Sequence, residues 1–254
     1  MLIDTHCHLY LPEFDKDIET VMERAFQSGV EKFYLPAIDS RMMDRVIQLE
    51  ERFPGAAFAM TGLHPCSVKE DFAEELQFIE QLLSTRKFVA IGEVGLDYYW
   101  DKTFVMQQQE AFRRQIDWAR QYSLPVIIHS RNATREALDI IQENQDGKLK
   151  GIFHCFTGEE SLAKEIADTG FMLGIGGVIT YKNAGLAEAL VNVPLEAMVL
   201  ETDSPYLSPV PFRGKRNESS YLSHIVQKLA EIKGVSIEVV AEVTSENAGR
   251  VFGI

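Results

Sequence analysis

Short runs of apolar, often β-branched residues alternate along the chain with longer stretches whose apolar positions recur every three or four residues. Eight of the short runs predict strands: Leu2–Thr5, Lys32–Ile38, Ala57–Thr61, Phe88–Ile91, Pro125–Ile128, Gly151–Phe153, Phe171–Ile175 and Ala197–Leu200. Most are apolar at successive positions, as strands of a sheet buried on both faces should be. Between them, Phe14, Ile18, Val21, Met22, Ala25 and Phe26 fall at helical spacing, and Gly29 stops that helix. Phe112, Ile116 and Ala119 mark a second helix, and Leu222, Ile225, Val226 and Leu229 a third. Eight strands leave about 32 residues for each strand–helix unit, a normal length for the βα pair of a closed barrel. The expectation is an α/β chain in which residues 1–254 form one (β/α)8 TIM barrel. A doubly wound open sheet is the alternative. No G-x-G-x-x-G follows an early strand and no G-x-x-x-x-G-K-[ST] occurs, so nucleotide-binding folds gain no support.

Composition changes this picture little: 46% of residues are hydrophobic and 25% charged, as in an ordinary globular chain. Charge matters more. Twenty-five Lys and Arg against 38 Asp and Glu give a net charge of −13. That balance argues against a broad nucleic-acid surface, because such binding is mostly neutralisation of phosphates by Lys and Arg. A local basic patch remains compatible with it. The three cysteines, Cys7, Cys66 and Cys155, are odd in number and far apart, so no disulfide framework is expected. The opening residues lack the basic and apolar regions of a secretory signal. No stretch approaches the ~18 apolar residues of a membrane span. A cytoplasmic setting without a membrane is the expectation, and no obligate protein partner is evident.

Candidate chemistry gathers just past the predicted strand ends. His6-Cys7-His8 follows the first strand and Gly62-Leu63-His64-Pro65 the third. Gly92-Glu93-Val94-Gly95-Leu96-Asp97 follows the fourth, His129-Ser130-Arg131 the fifth, His154-Cys155-Phe156 the sixth, and Glu201-Thr202-Asp203-Ser204-Pro205 the eighth. Five of the six histidines occupy such positions, and a barrel brings every C-terminal strand end to one mouth. His6 and His8 alternate on an extended segment, so both point the same way. They suit one divalent cation, to which Asp203 adds a carboxylate oxygen. His129 and His154 suit a second ion, with Glu93 as the natural bridge. Two ions about 3.5–4 Å apart generate hydroxide near neutral pH and offset charge at the attacked centre. Glu93 lies between glycines in an apolar segment, where an unpaired carboxylate would be costly.

These ordered segments, together with Ile3-Asp4-Thr5 at the start, Arg213-Gly214-Lys215-Arg216-Asn217-Glu218 and the late Asn247, resemble the TatD family of metal-dependent hydrolases and deoxyribonucleases, within the amidohydrolase-type barrels. The resemblance covers essentially the whole chain. It implies a (β/α)8 barrel of the metal-dependent hydrolase type with His6, His8, Glu93, His129, His154 and Asp203 as metal ligands. Related amidohydrolases often bridge their metals with a modified lysine, whereas here Glu93 takes that role. One departure is Phe212, which stands where many members carry His before Arg-Gly-Lys. It removes any substrate contact made through that side chain and leaves the metal ligands untouched.

The favoured reading is a metal-dependent phosphodiester hydrolase, a TatD-like deoxyribonuclease acting from a strand end through a hydroxide activated by two metals. Glu93 and Asp203 are its catalytic residues, and Asp203 doubles as general base. Arg213 and Lys215 lie in the loop after the eighth strand, where barrels often hold phosphate. With Arg131 and His64 they are the candidate substrate contacts. Tyr98, Tyr99 and Trp100 read either as a base-stacking surface or as loop anchors. Cys7 and Cys155 read as small buried fillers, and His224 as a packing residue. Four imidazoles favour Zn²⁺ or Mn²⁺, while two carboxylates and a phosphate substrate keep Mg²⁺ open. The expected partner is DNA or another phosphate-bearing substrate, bound weakly and without sequence specificity. Two other readings stay open: hydrolysis of a small ester, amide or phosphoester at the same site, and a metal-binding module without activity. Six convergent ligands argue against the second.

Overall fold

The structure is a computed structural model and describes residues 1–253. Among them the strands are β1 (Leu2–Asp4), β2 (Val30–Leu35), β3 (Ala57–Ala59), β4 (Ile91–Asp97), β5 (Val126–Arg131), β6 (Gly151–Phe153), β7 (Met172–Ile175) and β8 (Met198–Leu200). The helices are α1 (Ile18–Gln27), α2 (Ser40–Arg52), α3 (Phe72–Thr85), α4 (Val105–Tyr122), α5 (Thr134–Asn144), α6 (Glu160–Asp168), α7 (Leu186–Leu190), α8 (Leu222–Lys233) and α9 (Ile237–Phe252). No described helix is long and apolar enough to cross a membrane.

Strands β1–β2–β3 pair in parallel and in chain order, and so do β4–β5–β6–β7–β8. Two seams join the groups. At one, Thr61 bridges Ile91: the Thr61 amide donates to Ala90 O (3.3 Å) and the Gly92 amide to Thr61 O (2.9 Å). At the other, the Thr5 amide donates to Leu200 O (3.0 Å). Sequential parallel order closed at both seams makes a (β/α)8 barrel and removes the open-sheet alternative.

The apolar positions divide between two cores. Inside the barrel, Ile3, Tyr34, Met60, Ile127, Ile152 and Val199 pack with Ala248 and Val251 of α9. Phe252 of α9 stacks on Tyr34 with ring centroids 3.7 Å apart. The amide of Asn247 donates to Leu195 O (2.8 Å) and Met198 O (2.7 Å) at the entry to β8. Helix α9 therefore plugs the N-terminal end of the barrel, and only the opposite end is free for chemistry. The larger core lies between strands and helices, with Phe33, Phe112, Ile116, Ile128, Leu138 and Leu173 among its members.

Helix α1 starts at Ile18, with Phe14 buried in a preceding 3-10 turn, Pro12–Phe14, and Phe26 partly exposed. The expected fourth strand is displaced. It runs from Ile91 to Asp97 rather than from Phe88 to Ile91, and β5 continues to Arg131. Glycines such as Gly92 and Gly95 would weaken an isolated strand. In the barrel they permit close approach instead: a Cβ on Gly95, whose φ is +131°, would lie 2.2 Å from His129 O. The register Gly95↔His129, Leu96↔Ser130, Asp97↔Arg131 keeps both strands extended. Glu93 and His129 consequently sit within strands, not beyond them.

Candidate metal centre

The first group of donors forms where β1 meets β8. Asp4 is wholly buried; its Oδ1 accepts from the Thr202 amide (2.9 Å) and its Oδ2 from the Thr202 hydroxyl (2.6 Å). Burial pushes the Asp4 carboxyl up to about 7. Beyond this clamp the Asp203 amide donates to His6 O (2.9 Å) and the His8 amide to Ser204 O (2.7 Å). Asp203 itself adopts a left-handed conformation, φ +56°, which Asp tolerates better than most residues. The result is convergence: His6 Nε2 and His8 Nε2 are 3.2 Å apart, and Asp203 Oδ1 lies 3.8 and 3.5 Å from them.

Glu93 joins this group to a second. Its Oε2 lies 3.2 Å from His6 Nε2 and 3.5 Å from His8 Nε2. Its Oε1 lies 2.9 Å from both His129 Nδ1 and His154 Nε2. One carboxylate thus presents one oxygen to each group. Donors held about 2.0–2.2 Å from a tetrahedral ion sit roughly 3.3–3.6 Å from one another. The spacings of His6 and His8 from each other, from Glu93 and from Asp203, 3.2–3.8 Å, bracket that range, and His6, His8 and Asp203 converge closely enough to share one divalent cation.

Hydrogen bonds on the far side of each ring decide where the protons are. The Tyr10 hydroxyl donates to Pro36 O (2.7 Å), so its oxygen must accept from His8 Nδ1 (2.9 Å). The lone pair of His8 is then on Nε2, facing the site. Asp97 Oδ2 accepts from His129 Nε2 (2.8 Å), which leaves the His129 lone pair on Nδ1, beside Glu93. Glu201 is completely buried; its Oε1 accepts from the Cys155 amide (2.5 Å) and lies 3.4 Å from His154 Nδ1. Gly174 makes room for it, since a Cβ there would fall 2.1 Å from Glu201 Oε2.

The electrostatics call for positive charge. Burial alone would push the Glu93 carboxyl up, yet His154, His64 and His6 hold it well below the usual carboxylate range. Burial opposes a proton on His154, yet Glu93 and Glu201 push that ring well above the ordinary imidazole value. A proton drawn onto a ring in this way is the charge a bound cation would supply instead.

His64, expected as a substrate contact, caps the 3-10 turn Pro65–Ser67. Its Nδ1 accepts from the Cys66 amide (3.0 Å), so Nε2 carries a hydrogen. That nitrogen lies 3.4 Å from Glu93 Oε1 and 3.3 Å from His129 Nδ1. His64 therefore presents a donor to the centre rather than a lone pair. Asp97, Tyr10 and Glu201, which hold other rings or stand behind them, were not singled out in the sequence. A signal existed: each lies two or four positions from a candidate ligand, the spacing that shares a face on extended chain. Asp97→Asn keeps the shape but removes the charge behind His129. We expect metal affinity at the His129 group to fall about 10–100-fold, measured by titration against a chelating dye, with the thermal midpoint of the metal-free protein little changed.

The other candidates line the rim. Arg131 lies over Tyr99, with its guanidinium carbon 3.9 Å from the ring centroid. Arg213 lies 4.5 Å over Tyr181, and Lys215 5.9 Å over Phe212. Arg213 and Lys215 are exposed and make no ion pair among the described residues, so their charges face solvent. Arg216 differs, pairing with Asp17 (2.7 Å). The Asn217 amide donates to Thr202 O (2.8 Å) and Tyr206 O (2.7 Å), tying the basic loop to the segment that carries Asp203. Phe212 stacks on Tyr221 (4.0 Å) and meets His224 edge-on (5.3 Å), so both serve packing. Cys7 is buried, its thiol donating to Tyr34 O (3.7 Å), and Cys155 is partly buried.

Comparison with known proteins agrees with the barrel fold. Residues 3–253 match the family described as TatD related DNase. The chain is 41% identical to the uncharacterised metal-dependent hydrolase YabD of Bacillus subtilis, with all of both chains covered. It is 35% identical to the human deoxyribonuclease TATDN3, over 99% of this chain and 94% of that one. The crystal structure of YjjV, a TatD homologue from Escherichia coli, superposes with a TM-score of 0.94 at 30% identity, covering 100% of this chain and 98% of that one.

Proposed function

The chain belongs to the TatD-related DNase family and is a metal-dependent hydrolase; from that premise we propose that residues 1–254 act as one catalytic domain that hydrolyses phosphodiester bonds of DNA from a strand end. The observation that supports this reading is that donor atoms of His6 and His8 lie 3.2–3.8 Å from one another, from Glu93 and from Asp203. His6, His8, Glu93 and Asp203 would hold one ion, and Glu93, His129 and His154 a second. Divalent ions held there would supply a lowered pKa for water and positive charge for the phosphoryl oxygens. The imidazole-rich set suits Zn²⁺ or Mn²⁺ better than Mg²⁺.

The chain's own groups do the rest. Burial would raise the Asp203 carboxyl, but His8, His154 and His6 hold it below the usual value, so it is ionised at neutral pH. It takes the proton of the attacking water as general base. The His64 N–H donates toward the same space. Arg213 and Lys215, without an ion pair among the described residues and on a tethered loop, grip a neighbouring phosphate, and Arg131 acts from the end of β5. A net charge of −13 confines attraction to these few cations and the metals, so binding is weak and indifferent to sequence. The three free cysteines suit a reducing cytoplasm.

The test is a panel. Protein stripped of metal and reloaded with Zn²⁺, Mn²⁺ or Mg²⁺ is expected to shorten end-labelled oligonucleotides of unrelated sequence at comparable rates, and chelator should abolish the reaction. Turnover of small esters, lactones or amides without release of any nucleotide would remove the nucleic-acid reading and keep the hydrolase.

A further inference from the structure

The loop after β4 exposes its largest side chains at the rim of the mouth. Trp100 is 67% exposed and Tyr99 50%, their rings edge-on with centroids 4.9 Å apart. This is not a frayed segment. The amides of Tyr99 and Trp100 both donate to Asp97 Oδ1 at 2.9 Å. The side chain of Gln108 accepts from the Asp97 amide (2.9 Å) and donates to Asp97 O (3.3 Å). Arg131 of β5 packs its guanidinium over both rings, 3.9 Å from Tyr99 and 5.2 Å from Trp100. The other oxygen of Asp97 holds His129 Nε2 at 2.8 Å. One carboxylate therefore fixes both a candidate metal-binding ring and the loop bearing the exposed aromatics. A solvent-facing indole on a loop tied through Asp97 to a candidate metal-binding ring, with a cation packed against it, has the chemistry of a base-stacking surface.

We propose that the exposed face of Trp100, backed by Tyr99 and Arg131, is the subsite on which a nucleobase next to the cleaved bond stacks. Arg131 places positive charge where the phosphate joined to that base lies. Substrate selection then rests on the presence of an aromatic ring at one position from the scissile phosphate, not on which base it is. The proposal depends on the phosphodiester reading above, and its test separates the two.

Wild-type protein loaded with Mn²⁺ is given single-stranded oligonucleotides in which one abasic residue is stepped inward from each end. At one position the missing base should lower kcat/KM about ten- to a hundredfold. Trp100→Ala should lower kcat/KM on the intact strand by a similar factor, so that the ratio of intact to abasic rates collapses towards one, and Trp100→Phe should restore most of it. Quenching of Trp100 fluorescence by the intact strand, with Trp100→Phe as the blank, reads the same contact without turnover. A Trp100→Ala variant that keeps the wild-type dependence on that base overturns the stacking subsite alone. If the wild-type protein releases nucleotide from no strand with any metal, the phosphodiester reading falls and takes the subsite with it.

Discussion

Glu93→Gln is expected to lower kcat by at least about a thousandfold with every metal and substrate, a loss at the upper end of what removing one preorganised charge-stabilising group costs. The reason is geometric as much as electrostatic. Glu93 offers Oε2 to His6 and His8 and Oε1 to His129 and His154. Glutamine retains one oxygen and turns an NH₂ donor toward whichever group loses the other. No rotation of the amide serves both sides. The negative charge that pushes His154 and His64 up is also gone, so both rings lose their pull on positive charge. Elemental analysis should find less bound metal than in the wild type, and steady-state kinetics should give the rate. The circular dichroism spectrum should stay unchanged, because the barrel seams do not involve this side chain. Activity within tenfold of wild type would contradict the bridging role.

Asp203→Asn carries the second largest expected effect, a fall in kcat of about 10²–10³-fold, within the range that general acid–base groups contribute. In the proposed reaction the residue has two tasks, one as an oxygen donor beside His6 and His8 and one as proton acceptor. Asparagine can keep a neutral oxygen near the imidazoles but cannot take the proton. Burial raises the Asp203 carboxyl and the imidazoles of His8, His154 and His6 lower it, with a net downward shift. A carboxylate with a depressed pKa stays ionised as pH falls past its ordinary value near 4. Over about pH 5 to pH 9 the substitution should therefore lower the plateau of the pH–rate profile without moving its limbs. A displaced acid limb would assign that limb to Asp203 and contradict the shift. Metal at the His129–His154 group should be retained, which separates this variant from Glu93→Gln.

Much of the arrangement was legible from local pattern. Runs such as Val126–Ile128, Ile152–Phe153 and Met198–Leu200 are apolar at successive positions because both faces of a barrel strand are buried, one toward the interior and one toward the helices. Gly29 ends α1 by taking a positive φ of 82°, as its place after an amphipathic run predicts. The end of β4 was not legible. Gly92 and Gly95 weaken a strand in isolation, and only the backbone of β5, too close for a Cβ at Gly95, explains why the chain stays extended there. His64 was legible as a residue near the mouth but not as a hydrogen donor, because the tautomer follows from the Cys66 amide.

The sequence by itself determined the class of fold and the kinds of donor available, since the periodicity of burial and the placement of histidines and carboxylates after apolar runs are local properties of the chain. Tertiary structure decided the rest. Which nitrogen of each ring faces inward depends on Tyr10 behind His8 and Asp97 behind His129, and which oxygen of Glu93 serves which group depends on both seams being closed. Residues 6, 93, 154 and 203 become neighbours only when eight parallel strands return to their starting point, and a side chain's proton is settled only by the partner it meets there.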